Sequence, residues 1–270
     1  NKKVFADAGL KEPRNFDDFL ADAPKLKANG VIPFAIGGDG GGWQIAGAFG
    51  VLQTEELGKD MRDKILRDKD LALAGGPEMK KLLTDFKSLR AYSDDGYANR
   101  NWNDTWKLVD SGKAAVQIMG DWERGEFAAK GEVGTKDYGC IAGFDDAHPT
   151  ATTSGDVFVF PKQTDPNKEA AQKRLANLII SPAVQLAFNN AKGSSPVRSD
   201  VDMGSADPCL QKALDIFNNH PDEIVTDAQR WLSNDTTNQM NDLFTKFFND
   251  PTYTVDQAQA DYVNILKNAN

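Results

Sequence analysis

The chain has only two histidines and two cysteines to offer a metal an imidazole or a thiolate, and they do not cluster. His148 and His220 lie far apart, each beside a proline, and Cys140 and Cys209 form no CxxC, so a zinc site lacks donors. Long apolar runs are missing as well. No stretch approaches the roughly 18 residues of a membrane span, and the mean hydropathy is −0.51. Basic charge is in the minority, with 31 Lys and Arg against 40 Asp and Glu, and it forms no stripe. A net charge of −9 argues against nucleic acid or anionic lipid as a partner. There is no GxSxG, no HExxH and no Cys–His pairing with a plausible third member. Internal repeats, low-complexity segments and Pro/Ser-rich linkers are also lacking.

What is present is a chain of 270 residues with 40% hydrophobic residues, enough for one large domain or two ordinary ones around a substantial core. The opening NKKVFADAGLKEP carries charges but no apolar leader segment, and reads as the middle of a protein. Two readings of the cysteines stand open. Cys140 and Cys209 are free buried thiols, or they form one disulfide that stabilises by roughly 3–5 kcal/mol and implies an oxidising compartment.

Helix signals dominate. Asn15 caps a predicted helix carrying Phe16, Phe19, Leu20, Ala23 and Leu26 on one face, with Pro24 as a kink or restart and Gly30 as the stop. Val31–Ile36 reads as a buried strand, followed by the turn GGDGGGWQ and a helix from Ile45 to about Leu52. Pro77 opens a helix with Met79, Leu82, Leu83, Phe86 and Leu89 inward. A short helix from Asn101, a turn at Asp110–Gly112 and strands at Ala114–Met119, Tyr138–Ala142 and Val157–Phe160 follow. Ser181-Pro182 and Asp207-Pro208 are cap-and-first-turn pairs, Gly193 is a stop, and Thr254 with Gln257 is a capping box. Short strands separated by long helices define an α/β class.

Three features bear on chemistry. The turn Gly37–Gln44 resembles a phosphate cradle, but Trp43-Gln44 stands where a Walker motif needs Gly-Lys-Ser/Thr, so the glycines serve a tight bend that leaves Trp43 and Gln44 at a helix start. Carboxylates are plentiful, and Asp121 with Asp156 is the pair a glycoside-active enzyme would use. Among the indoles, Trp43, Trp102 and Trp122 lie at loop or strand ends beside polar side chains: Trp43-Gln44, Asn101-Trp102-Asn103 and Asp121-Trp122. A pyranose has apolar C–H faces and a rim of hydroxyls, so a site for it stacks an indole on the face and turns polar groups to the rim. Each such Trp taken singly also fits core packing. Trp106, four residues after Trp102, is assigned to the core, and Trp231 fits either role.

The segments NKKVFADAGLKEPRNFDDFLADAPKLKANGVIPFAIGG, WNDTWKLVDSGKAAVQIMGDW, TSGDVFVFPKQTDPNKEAAQ and LAFNNAKGSSPVRSDV, in that order, resemble the C-terminal two-thirds of the family-one extracellular solute-binding proteins of ABC sugar importers. Within that family the resemblance is greatest to the glucose- and aldose-binding members. It implies a type II periplasmic-binding-protein fold in which residues 1–141 and 181–270 form the C-terminal lobe and 142–180 visits the N-terminal lobe. Family members carry roughly a hundred or more residues before the point matched by Asn1, so an N-terminal part is expected elsewhere, in a longer parent chain or another polypeptide.

Carried over residue by residue, the resemblance places ring-stacking aromatics on Trp102 and Trp122, a hydroxyl-accepting carboxylate on Asp156 and an ammonium donor on Lys192. Arg198 of the same motif is a second donor or a structural ion-pair member, and Asp121 serves local hydrogen bonding or a sugar hydroxyl. Where glucose-type members place a histidine, this chain has Gln229 or Arg230, which points to another monosaccharide, a disaccharide or an acidic sugar derivative. The expected function is capture of a sugar between two lobes, hinge closure and delivery to the membrane subunits of an ABC importer, outside the cytoplasmic membrane. The expected partners are the sugar, the importer and the N-terminal part. No cofactor, metal, nucleic acid or membrane insertion is expected, and the complete protein is expected to be a monomer. The alternatives are the glycoside-active enzyme and a sugar sensor for a chemoreceptor.

Overall fold

The computed structural model describes residues 1–204 and 206–269. Its helices and strands run α1 (Lys2–Asp7), α2 (Phe16–Ala28), β1 (Ile32–Ala35), α3 (Trp43–Leu66), α4 (Leu71–Ala74), α5 (Pro77–Ser88), α6 (Trp102–Asp110), β2 (Ala114–Gln117), α7 (Glu123–Ala129), β3 (Ala151–Thr153), α8 (Pro166–Ile179), α9 (Pro182–Lys192), α10 (Pro208–Asn219), β4 (Ile224–Thr226), α11 (Asn234–Asn249) and α12 (Val255–Lys267). No helix among the described residues is long and apolar enough to cross a membrane.

Local chemistry sets most boundaries. The Asn15 side chain accepts the Asp18 N–H at 2.8 Å and starts α2. Pro24 does not restart that helix; it sits on the exposed face, where water can take the carbonyl that lacks a donor. Thr254 and Gln257 form the expected capping box on α12. Proline opens α5, α8, α9 and α10, and Gly193 closes α9 with φ +86°. The helix expected to stop near Leu52 instead runs to Leu66, bending at Gly58, where φ is 72° and ψ is 156°.

The strands form two parallel pairs. β1 pairs with β2 in the register Ile32↔Ala114, Phe34↔Val116 and Ala35↔Gln117. β3 pairs with β4 through Ala151↔Ile224, Thr152↔Val225 and Thr153↔Thr226. Parallel pairs need long crossovers, which α3–α6 and α8–α10 supply. Neither β3 nor β4 is among the strands read from sequence.

The main core lies between α2, α3, α5, α11 and α12. Phe49 stacks on Phe244 with ring centroids 3.8 Å apart and meets Phe86 edge-on at 5.3 Å, while Tyr262 closes the cluster. A second cluster packs Trp106, Phe127, Tyr138 and Cys209. There Cys140 and Cys209 are joined by a disulfide across a sequence separation of 69. Closing a loop of that length stabilises by about 4 kcal/mol in the chain-entropy account.

Two expected strands are absent, for one reason. Tyr138–Ala142 makes only a single bridge, Gly134↔Tyr138, and its backbone is held by the disulfide and by Tyr138 Oη donating to Asp207 at 2.7 Å. Val157–Phe160 joins no ladder, and Val157 is 84% and Val159 78% exposed. A strand exists only through its ladder, and no neighbouring segment offers one here. α8 follows with no buried side chain, and no residue from 154 to 184 is buried.

Candidate functional site

β1 and β2 run parallel, and the chain leaves both at the same end. Ligand sites in α/β proteins form at the carboxyl ends of such strands, where loops turn into helix N-termini. Here β1 leads through the glycine turn to Trp43 at the start of α3, and β2 leads to Trp122 at the start of α7. Trp102 opens α6, capped by Asn101, whose side chain accepts the Asp104 N–H at 2.9 Å.

Local sequence sets each indole. Gly42 adopts φ +78°, and a Cβ there would collide with Thr245 Oγ1, so only glycine passes α11 before Trp43. A Cβ at Gly120 would strike the Trp122 ring, so the Gly-Asp-Trp sequence lets the indole fold back over its own backbone. Gln117, the last residue of β2, donates from Nε2 to the Trp102 carbonyl at 3.1 Å. The three indoles form one group. Trp122 is central, 6.3 Å from Trp43 and 6.5 Å from Trp102 between ring centroids, with the Trp102 contact edge-on.

They stand on the wall of an open cleft of about 2470 Å³ that Asp156, Lys192 and Arg230 also line. That exceeds the roughly 300–1,000 Å³ of an enclosed small-molecule site. Trp43 is 36% exposed, and Trp102 and Trp122 are half-buried, so none is sealed in the interior. Lys192 Nζ donates to Asp156 Oδ2 at 2.8 Å, and the carboxylate is largely exposed. Arg230 is exposed at the lining of the cleft.

Other residues read from sequence are engaged locally. Gln44 is 2% exposed and donates to the Asp39 carbonyl at 3.1 Å, bracing the glycine turn. The Asp121 carboxylate accepts from Ser194 Oγ at 2.9 Å and from the Ser195 N–H at 3.3 Å. Arg198 pairs with Asp200 at 2.5 Å, the structural alternative. Trp106 is in the core as expected, and Trp231 packs against the core with the Arg62 guanidinium 5.8 Å from its ring centroid. Sequence reading did not find Gln117, Ser194 or Ser195, because polar residues without a motif carry no signal until the fold brings them to a partner.

Beneath the site, Glu123 follows Trp122 and is buried. Burial pushes its carboxyl up to about 8, and the charge of Glu126 adds to the rise. Asp207 goes the other way. Burial alone would raise it, but hydrogen bonds from Tyr138, the Leu210 N–H and Arg124 outweigh that and hold it below the usual carboxylate range. Among the described residues no group of His, Cys, Asp and Glu is arranged to hold a metal ion.

Comparison with known proteins defines the class. The model of the bacterial extracellular solute-binding protein family matches residues 1–186, and the chain belongs to that family. A probable sugar-binding periplasmic protein of Brucella suis is 37% identical over 214 residues, covering 79% of this chain and 50% of the relative. An uncharacterized ABC transporter extracellular-binding protein of Pyrococcus horikoshii is 36% identical over 220 residues, covering 79% and 47%. The chain thus spans about half the length of the curated relatives it matches. Among solved structures, a chitin oligosaccharide binding protein superposes with a TM-score of 0.77 at 18% identity, covering 100% of this chain and 68% of its own. The solute-binding protein RafE in complex with raffinose gives 0.75 at 17%, covering 98% and 68%. These likenesses establish the mixed helix-and-strand fold of such solute-binding proteins.

Proposed function

We propose that the protein captures a sugar in this cleft and delivers it to the membrane subunits of an ABC importer, in the periplasm or on the extracytoplasmic surface. The observation that carries the reading is the group formed by Trp43, Trp102 and Trp122 on one wall of a cleft that Lys192, Asp156 and Arg230 also line. Indole faces suit the C–H side of a pyranose, and the ammonium, carboxylate and guanidinium suit its hydroxyls through charge-assisted bonds. The names of the relatives, sugar-binding and ABC extracellular-binding, agree with it. The stretch 142–180 is assigned to a second lobe, consistent with the absence of buried side chains from 154 to 184. The remaining wall comes from further polypeptide of the same protein, and closure of the two lobes traps the ligand.

A glycoside-active enzyme is disfavoured. The family is one of solute-binding proteins, and one of the two carboxylates such chemistry needs, Asp121, is held through both oxygens by Ser194 and Ser195. The test is a titration of the full-length protein followed by tryptophan fluorescence, with D-glucose, D-galactose, maltose and raffinose. A saturable quench or shift with at least one sugar is expected, diminished at least tenfold in apparent affinity by Trp122→Ala. A flat response to all four overturns the reading.

A further inference from the structure

We propose that Asp121 is a positioning residue that holds Lys192 in register with the Trp122 ring, rather than a group that bonds the ligand. The inference rests on the sugar-capture reading and assigns a division of labour within that site. It starts from a contact between two segments 73 residues apart, Asp121 at the start of the α7 turn and Ser194 just past α9. Both carboxylate oxygens are engaged there. Oδ1 accepts from Ser194 Oγ at 2.9 Å, and Oδ2 accepts from the Ser195 N–H at 3.3 Å. Ser194 is 7% exposed, so its hydroxyl depends on the Asp121 carboxylate, which itself stands at the surface.

The backbones behind this bond touch without an intervening side chain. Gly193 ends α9 in the left-handed region at φ +86°, and a Cβ there would meet the Gly125 nitrogen at 2.5 Å and the Asp121 carbonyl at 3.0 Å. In return, a Cβ at Gly125 would meet the carbonyls of Lys192 at 2.7 Å and Ala191 at 2.8 Å. Two glycines therefore let α7 and the end of α9 close on each other, and the Asp121 carboxylate fastens the pair. Lys192 is the last residue of α9, immediately before Gly193, and Trp122 immediately follows Asp121. The backbone positions from which the Lys192 ammonium and the Trp122 indole project are thus held at a set spacing by one short seam. A site that matches a ring face to a rim hydroxyl depends on that spacing.

The test uses the full-length protein with two independent readouts. In the ligand-free protein, amide hydrogen exchange at Gly193, Ser194 and Ser195 is expected to accelerate about tenfold or more in Asp121→Ala. It should accelerate less in Asp121→Asn, whose amide oxygen still accepts one of the two bonds, while β1 and α5 keep their protection. Unchanged exchange in both variants overturns the seam. Sugar affinity is then measured in a double-mutant cycle with Lys192→Met, using whichever of D-glucose, D-galactose, maltose and raffinose titrates. Asp121→Ala alone is expected to weaken binding roughly tenfold, to be partly rescued by Asp121→Asn, and to add nothing once Lys192→Met is present. Effects that multiply in the cycle show Asp121 acting on the ligand directly and overturn the positioning role. If exchange responds but no sugar titrates, the seam stands and the sugar-capture reading is what falls.

Discussion

Glu123 shows how closely the site residues depend on their immediate surroundings. It follows the central indole, lies buried at the start of α7, and its carboxyl is pushed up to about 8 chiefly by that burial. An acid whose folded value lies above its unfolded one contributes stability that is fully present below the unfolded value, about 4.5, and lost as pH rises through 8. Glu123→Gln does not titrate. The difference in unfolding free energy between variant and parent is therefore expected to shift in the variant's favour from pH 4.5 to 8, by at most about 5 kcal/mol, and to level off above. Urea denaturation across that range checks it, and a difference independent of pH removes the buried-acid account. What sequence anticipated is the placing of Trp102 and Trp122, indoles beside polar groups, at element ends on a common surface, whereas Lys192 was singled out only by the family resemblance; their roles toward a ligand belong to the proposal. The burial of Glu123 and the bond of Gln44 to the turn were not legible, because nothing local distinguishes a buried glutamate or glutamine from an exposed one.

At the scale of elements, legibility followed how local the determining interaction is. Caps and stops are decided within four residues, so Asn15, Pro77, Gly193 and Thr254 marked boundaries that the structure keeps. Strands depend on partners far along the chain. Tyr138–Ala142 and Val157–Phe160 have the composition of strands and lack a ladder, whereas Ala151–Thr153, three residues too short to show a periodic pattern, gains β4 as its partner. The glycine turn joins the two cases: its composition announced a tight bend, but its tertiary reason is Thr245 of α11, which fills the space beside Gly42. Gly42→Ala combines that collision with a positive φ and is expected to destabilise by roughly 1–3 kcal/mol. It should also displace Trp43 and alter the indole fluorescence. Gly41→Ala shares the positive φ, with nothing within 4 Å of the added carbon, so it separates backbone strain from the collision. Equal losses in the two variants would remove Thr245 from the account.

For the whole molecule, the distribution of burial matters more than its sum. Phe49, Phe86, Phe244 and Tyr262 anchor one end in a dense aromatic core, and the Cys140–Cys209 bond ties the second cluster to α10. Between them and the outer edge of α9 lies a stretch whose apolar side chains face outward: Val157, Phe158, Val159, Leu175, Leu178 and Phe188 are all at least 46% exposed. Phe158 and Phe188 meet edge-on at 6.5 Å, which joins the 157–160 segment to α9. Exposed large apolar side chains gathered in this number mark a surface that is covered in the working assembly, and an apolar segment outside any ladder can add to a sheet as a further strand. If polypeptide of the same protein covers it, the 270 residues produced alone are expected to bind the apolar dye ANS and to self-associate as concentration rises. A longer form extended to the full length of the matched relatives should lose both properties, with Val157–Phe160 gaining amide-exchange protection. Dye binding of equal strength in the two forms, with 157–160 still unprotected, would leave the patch free in the longer protein and remove the reason for assigning 142–180 to a second lobe.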